Sequence, residues 1–373
     1  MRAAEVQLLV ASADVSGIAP VDVATLIQGL DRWLSQWVPA NHAGSQVERI
    51  ERPDSGWSSD ILLTTVHPAI DVTGDGKPVA ELAVRVAPAP AVASFPVDDF
   101  DLQAKVMRAL KASGLPVPTV VAVENDPGWL GTPFLVMTRA PGRVVGDAPA
   151  LDPWLAGLPS ATQRRIHEGY IDALGAIHRL DWRAAHLDGI LRDAGQRLEH
   201  DLSWWSNYVD WASDGDPAPV LANHMQWCID AAPSMAQVPS LCWGDARLGN
   251  VLLLDDGAIG ALLDWELASI GPPEMDLGWY LALDRLTTKV VGHQVAGFLG
   301  RDETISRYQD HLGRSVEHLG WHEIFALVRS VAINERQARL AAAGGVSYPG
   351  VAGKDNPMLD YITRRIDRFE AAA

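Results

Sequence analysis

Three residues of this 373-residue chain have types and a spacing that could do chemistry together: Asp245, Asn250 and Asp264. The first two stand five apart in Leu241-Cys242-Trp243-Gly244-Asp245-Ala246-Arg247-Leu248-Gly249-Asn250, and an apolar run, Val251 to Leu254, follows. Asp255-Asp256-Gly257 then leads into a second apolar run, Ala258 to Leu263, which ends in Asp264-Trp265-Glu266. Asp-Gly between two apolar runs is a hairpin signal, because the turn that matches strand twist needs positive φ. Such a hairpin begins at Asn250 and ends at Asp264. In an antiparallel pair those ends are neighbours, so an amide oxygen and a carboxylate meet, with Asp245 on the loop just before.

That set suits phosphoryl transfer from a nucleotide. The reaction asks for a carboxylate that orients and deprotonates the attacking hydroxyl, and for hard oxygen ligands to one or two Mg²⁺ ions. Asp245 is the candidate for the first task, and Asn250 and Asp264 for the second. The order Asp-x4-Asn, hairpin, Asp is also that of the kinase catalytic loop. Short Asp/Asn/Gly loops occur on ordinary surface hairpins as well. The three polar residues together with glycines at 244 and 249 separate this segment from them.

The elements that must position these residues are readable from periodicity. Pro20 to Val38 predicts a helix with Leu26, Ile27, Leu30, Trp33, Leu34 and Trp37 on one face. Strands are expected at Glu48–Arg52, Ile61–Val66, Glu81–Ala87, Val117–Glu124 and Phe134–Met137, with turns at 55–59 and 71–77 and a helix over 99–112. Thr138-Arg139-Ala140-Pro141-Gly142 breaks the pattern and reads as a hinge. Helices follow at Arg164–Leu180, Leu198–Ala212, Val220–Ala232, Met275–Leu286, Ile305–Gly313, His322–Ala342 and Leu359–Phe369, with the hairpin embedded among them.

Trp243-Gly244-Asp245-x4-Asn250 and Leu263-Asp264-Trp265-Glu266 resemble the pattern of the aminoglycoside phosphotransferase family: His-Gly-Asp-x4-Asn, a hairpin, then Ile-Asp-Trp/Phe-Glu. Leu130 to Met137 and Gly271-Pro272-Pro273-Glu274-Met275-Asp276-Leu277 are similar to the bacterial and acyl-CoA-dehydrogenase-associated members of this phosphotransferase enzyme family. The likeness runs from about residue 45 to about residue 285. It implies an α+β, two-lobed, protein-kinase-like fold: an extension with one helix (1–45), a nucleotide-binding lobe with a five-stranded antiparallel sheet (46–137), and a larger, mainly helical catalytic and acceptor-binding lobe (138–373).

The resemblance also implies a nucleotide site. Gly56, Ser58 and Ser59 match the loop that covers the phosphates, where backbone N–H groups and hydroxyls bind phosphate oxygens. Arg85 takes the third-strand position at which kinases place Lys, and Gln103 takes that of the Glu that pairs with it. Arg can grip phosphate bidentately, but Gln orients it only by a hydrogen bond. An Arg on the outer side of a strand gives the same sequence. Backbone groups near Thr138 and Ala140 would meet the base. Trp243 replaces the family's His and is expected to pack on the loop without chemistry. Asp276 would brace the loop backbone, Arg247 would contact the transferring phosphate or an acidic group or simply be exposed, and His178 reads as structural.

Composition narrows the rest. A net charge of −17 disfavours nucleic acid and anionic membranes as partners. Apolar residues at 48% and charged residues at 21% are ordinary for a globular chain. No segment reaches eighteen uninterrupted apolar residues. Cys228 and Cys242 have no ligand-like spacing, which fits a reducing, cytoplasmic setting. Met1 to Val15 is expected to be a leader without the character of a secretion signal. Walker A, calcium-loop, zincin and nucleophile-elbow patterns all fail.

The expected activity is transfer of the γ-phosphate of Mg²⁺-ATP or Mg²⁺-GTP to a hydroxyl of a small acceptor, aminoglycoside-like or another metabolite alcohol. Trp204, Trp205, Tyr208, Trp211 and Trp227, with Asp201, Asp210, Asp214 and Asp216, would suit a cationic, ring-bearing alcohol, though the same spacing also builds a helix core. A nucleotide-binding regulator without transfer activity and a metal-dependent hydrolase are the alternatives.

Overall fold

The computed structural model describes residues 23–37, 44–51, 60–72, 76–96, 99–188, 191, 197–234, 239–344 and 353–372. The described residues divide into two compact units, one drawn from 23–108 and 118–140, the other from 109–117 and 141–372.

The first unit is built on a five-stranded antiparallel sheet. Its strands are β1 (Gln46–Glu51), β2 (Asp60–Ile70), β3 (Val79–Val86), β4 (Val120–Glu124) and β5 (Phe134–Thr138), in the order β1-β2-β3-β5-β4. Strand alternation sends Leu62 and Val66, Leu82, Val84 and Val86, and Phe134 and Val136 to one core. Helix α1 (Val23–Trp37) covers it with Leu26, Leu30, Trp33 and Leu34, which recur at one helical face. Each such side chain, fully buried, is worth about 1.5–3 kcal/mol. Two polar ties fix the helix: Asp31 Oδ1 accepts from Val47 N at 2.6 Å, and Trp33 Nε1 donates to Glu124 Oε2 at 3.1 Å. Helix α2 (Phe100–Ala112) follows β3, and Asp99 caps its start by accepting from Leu102 N at 2.8 Å.

Several boundaries differ from expectation. Strand β2 runs on to Ile70 through Pro68. Proline lacks the N–H for the ladder, and the pairing with β3 is interrupted between Thr65 and Ile70. Strand β4 starts at Val120, after Pro118, not at Val117. β5 includes Thr138, so the predicted hinge loses its first residue to the sheet. The leader Met1 to Val15, the loop with Gly56, Ser58 and Ser59, and residues 73–75 of the predicted turn lie outside the described residues.

The second unit is mainly helical: α3 (Pro153–Gly157), α4 (Ser160–His178), α5 (Arg197–Ala212), α6 (Pro219–Asp230), α7 (Glu274–Val291), α8 (Arg301–Leu312), α9 (Leu319–Ala343) and α10 (Pro357–Glu370). Helix α9 is buried nearly all round and packs against α5, α6, α7 and α10. Between α6 and α7 lie two short ladders. Strands β7 (Val251–Leu253) and β8 (Ile259–Leu262) form the predicted hairpin, closed at Gly257 with φ +87°. Strands β6 (Ser240–Cys242) and β9 (Ser269–Gly271) pair around it, and at three residues each they are too short to read from periodicity. Helix α8 opens earlier than predicted, at Arg301, because its first turn carries no apolar residue, and α9 opens at Leu319, one turn before His322, with buried Trp321 on its apolar face. Among the described residues no helix is long and apolar enough to cross a membrane.

Candidate active site

The loop that carries Asp245 leaves β6 at Cys242 and turns at Gly244, whose φ is +88°. A Cβ there would lie 2.2 Å from Leu267 O, so the turn and the close approach both require glycine. Asp276, in the first turn of α7, is completely buried and holds this turn. Its Oδ2 accepts from Trp243 N at 2.6 Å and its Oδ1 from Gly244 N at 2.9 Å. His178 backs it up: Nε2 lies 3.0 Å from Asp276 Oδ2, and Nδ1 faces the Tyr308 hydroxyl. The consistent tautomer has Nε2–H donating to Asp276 and Tyr308 O–H donating to Nδ1. His178 is structural, as its sequence context suggests.

Both carboxylate oxygens of Asp245 are engaged. Oδ2 accepts from Asn250 Nδ2 at 2.8 Å and from Arg247 Nε at 2.9 Å, while Oδ1 accepts from Trp279 Nε1 at 2.9 Å. Each carboxylate oxygen has two lone pairs. Oδ2 is therefore saturated, and Oδ1 keeps one lone pair for a further donor. The side chain is 16% exposed, enough for a small molecule to touch it.

Asn250 lies at the end of a single 3₁₀ turn, Leu248–Asn250, directly before β7. Its Nδ2 spends both hydrogens on Asp245, on the backbone O at 3.0 Å and on Oδ2. A flipped amide would set oxygen against oxygen, so the orientation is determined and Oδ1 remains as an acceptor. Asp264 follows β8 in the left-handed region, φ +59°. Leu263 N donates to Asn250 O at 2.9 Å, so the hairpin brings the two ends together. Trp243 ties them down: its Nε1 donates to Leu263 O at 2.8 Å and Asp264 O at 3.2 Å, and its ring stacks on Trp265 at 5.3 Å.

Arg247 bridges Asp245 and Asp147. Burial disfavours its charge, but the two carboxylates outweigh that and hold the guanidinium well above its ordinary pKa. Of the expected alternatives the contact with acidic groups is the one present, and Arg247 is not a plain exposed loop arginine.

In the sheet unit, Arg85 sits on the middle strand, 5% exposed, and Nη1 donates to Gln103 Oε1 at 3.2 Å. The outer-surface alternative is excluded by that burial. Gln103 Nε2 is buried without a hydrogen-bond partner. Thr138 N donates to Thr119 O at 2.9 Å and Arg139 N to Glu81 O at 3.1 Å, so both amides are used within the sheet unit. Ala140 follows, half-buried, beyond the strand.

Of the aromatic and acidic set on and around α5 and α6, Trp205 and Tyr208 are core residues, while Trp204, Trp211 and Trp227 are half-buried and Asp210 and Asp216 exposed. Trp204 stacks on Tyr208 at 5.4 Å, and Asp214 pairs with Arg336 and Arg339. His178, Cys242 and Asp276 gather closely enough for a cation, but their atoms already serve each other and the loop, and burial pushes the Cys242 thiol up. Three contributors escaped the sequence reading: Asp147, Trp279 and Arg329. Trp279 follows Asp276 by one helical turn and so shares its face, a signal that was available. Arg329 is a single charge inside the apolar run Phe325 to Ala332.

An antiparallel five-stranded sheet unit, then a helical unit with an Asp-x4-Asn loop and a hairpin ending in Asp, defines a protein-kinase-like fold. The chain belongs to the phosphotransferase enzyme family, whose model matches residues 49–311. Mouse acyl-CoA dehydrogenase family member 10 is 31% identical over 176 residues, 47% of this chain but 16% of that protein. The chain thus matches about a sixth of that relative's length. A Ralstonia eutropha protein assigned by name to the aminoglycoside phosphotransferases has the same fold, with a TM-score of 0.68 at 20% identity over 91% of this chain and 98% of that one. So has a thermostable mutant of aminoglycoside phosphotransferase APH(4)-Ia in complex with AMP-PNP and hygromycin B, at 0.53 and 14%, covering 91% and 97%. The GDP complex of aminoglycoside 2'-phosphotransferase-IIIa matches at 0.51 and 13%, covering 92% and 99%.

Proposed function

We propose that this protein is a small-molecule kinase, acting in the cytoplasm, that transfers the γ-phosphate of Mg²⁺-ATP or Mg²⁺-GTP to a hydroxyl of a small acceptor. The observation that carries this reading is the state of Asp245: Oδ2 saturated, Oδ1 with one lone pair left, on a side chain that is partly exposed. The acceptor hydroxyl would donate its hydrogen bond to Asp245 Oδ1. As its oxygen bonds to the γ-phosphorus and the bond to the β-phosphate oxygen breaks, the proton passes to Oδ1.

Asn250 Oδ1 and the Asp264 carboxylate fit Mg²⁺: both are hard oxygens, and the amide is turned so that its oxygen is the end left over. Mg²⁺ bound there would neutralise charge on the β- and γ-phosphates. Arg247 already lies on Asp245 and would supply positive charge beside the transferring group. Arg85 would bind phosphate oxygens, oriented by Gln103, whose orphan Nε2 donor suits an anionic neighbour. By family resemblance the loop with Gly56, Ser58 and Ser59 would cover the phosphates, and Thr138 and Ala140 would border the base.

A second reading, a nucleotide-binding protein without transfer, draws on Gln103, which gives Arg85 a neutral acceptor where the family pattern has an acid. Thermal melting with ATP and with GTP, each with and without Mg²⁺, separates the possibilities. Ligand at about a hundred times its dissociation constant adds about 2.7 kcal/mol. A Mg²⁺-dependent shift lost in Asp264→Ala, with acceptor-dependent turnover lost in Asp245→Asn, is expected. A shift without turnover in any acceptor screen favours the second reading, and no shift with either nucleotide refutes both.

A further inference from the structure

Behind the Asp245 loop lies a buried cation that the scheme above leaves unused. Arg329, in the middle of α9, is 2% exposed and flanked by buried Phe325, Val328 and Ala332. Burial pushes its guanidinium below the ordinary arginine pKa, while the carboxylates of Asp201, Asp276 and Asp245 pull the other way. Removing a cation from water costs several kcal/mol, and a Met or Leu would fill this space without that cost. Its Nε, moreover, is buried without a hydrogen-bond partner.

What Arg329 does touch leads to Asp245 by two routes. Its Nη2 donates to Gly244 O at 2.7 Å, the carbonyl of the peptide that joins Gly244 to Asp245. Asp276 holds the N–H groups of Trp243 and Gly244, so the two peptides flanking Gly244 are held by Asp276 and Arg329 together. Glycine is flexible at this turn, so the hold fixes a backbone that the residue itself leaves free. By the second route, the guanidinium lies over the Trp279 ring at 4.6 Å, with Trp205 at 4.5 Å. Trp279 is the residue whose Nε1–H occupies Asp245 Oδ1.

We infer that Arg329 is a positioning residue for Asp245: it clamps the Gly244–Asp245 peptide and seats the Trp279 indole on Asp245 Oδ1, so that one lone pair of that oxygen points to the acceptor. The catalytic consequence rests on the phosphotransfer reading; the clamp does not. A filler role predicts that Arg329→Met, which keeps most of the volume, leaves the Trp279 indole on Asp245 and its solvent exchange unchanged.

The test uses the ¹⁵N-labelled full chain as wild type, Arg329→Met, Arg329→Lys, Asp245→Asn and Trp279→Phe. The indole N–H signal absent from Trp279→Phe reports on Asp245 Oδ1. It is expected to move in the same direction, with faster solvent exchange, in Arg329→Met and Asp245→Asn, and to a smaller degree in Arg329→Lys. In acceptor-free Mg²⁺-ATP hydrolysis, kcat is expected to fall on the order of a hundredfold in Arg329→Met with KM for ATP within about twofold, since a 1 Å misplacement costs about that much, and Lys should restore part of it. An unmoved indole signal in Arg329→Met overturns the inference, and if that variant does not fold, an unmoved signal in Arg329→Lys does so. If wild type hydrolyses nothing without an acceptor, as a strictly acceptor-dependent transferase would, the indole signal alone judges the clamp, and the acceptor screen judges the phosphotransfer reading.

Discussion

Asp276→Ala is the sharpest perturbation of the catalytic-loop scaffold. The side chain accepts two backbone N–H bonds, from Trp243 and Gly244, and faces His178 Nε2, all in a fully buried setting. A hydrogen bond to a charged group contributes about 1.5–3 kcal/mol, so losing the two loop bonds costs about 3–6 kcal/mol. That is a large share of the roughly 5–15 kcal/mol that stabilises a folded domain. At about 2–4 °C per kcal/mol for a unit of this size, the helical unit should melt roughly 6–24 °C lower. Asp276→Asn keeps one acceptor oxygen and should lose about half as much. Differential scanning calorimetry on the full chain reads both. A drop below about 2 °C for Asp276→Ala would mean that the loop amides are held some other way, and the account of the Gly244 turn would be wrong.

Three further outcomes follow from the same geometry. Gly244→Ala places a Cβ 2.2 Å from Leu267 O at a positive φ, and should cost more than about 3 kcal/mol or abolish folding, whereas Gly292→Ala, with the same sign of φ and open space around it, should cost about 1 kcal/mol in chemical denaturation. Trp243→Phe keeps the stack on Trp265 but loses the indole donor to Leu263 O and Asp264 O; we expect a loss of about 1 kcal/mol and weaker Mg²⁺-nucleotide binding in the melting assay, and an unchanged affinity would remove the indole from the metal-site scaffold. Burial raises the Asp284 carboxyl to about 6 against the opposing pull of Gln294 and Arg285. A raised acid binds its proton more tightly when folded, so its penalty is absent below about pH 4 and grows through about pH 6; Asp284→Asn should stabilise by about 1 kcal/mol at pH 8, after discounting for partial exposure, and not at pH 4.

The local chemistry of the site was legible from the chain because it is carried by short-range geometry. Asp255-Asp256-Gly257 between apolar runs dictates a hairpin, a hairpin makes Asn250 and Asp264 neighbours, and a five-residue step puts Asp245 within reach of Asn250. The sheet core was legible for the same reason, since period-two alternation and the α1 stripe each pick out one buried face. Arg85 and Gln103, eighteen residues apart, could be paired only through the family resemblance, and their burial could not be foreseen. The partners that complete the loop come from farther away. Trp279 donates to the carboxylate itself, Asp147 accepts from Arg247, Arg329 donates to the Gly244 carbonyl and His178 backs Asp276, from four different segments of the helical unit whose packing local periodicity does not encode. The aromatics of α5 and α6 show the same limit from the other side: their spacing specified a helical face, and only packing decided that Trp205 and Tyr208 belong to the core while Trp204, Trp211 and Trp227 stay half-buried. The sequence by itself thus determined which atoms could do phosphoryl chemistry. The tertiary structure decided how those atoms are held, because the lone pair left on Asp245 Oδ1 depends on partners whose proximity arises only when the helices pack.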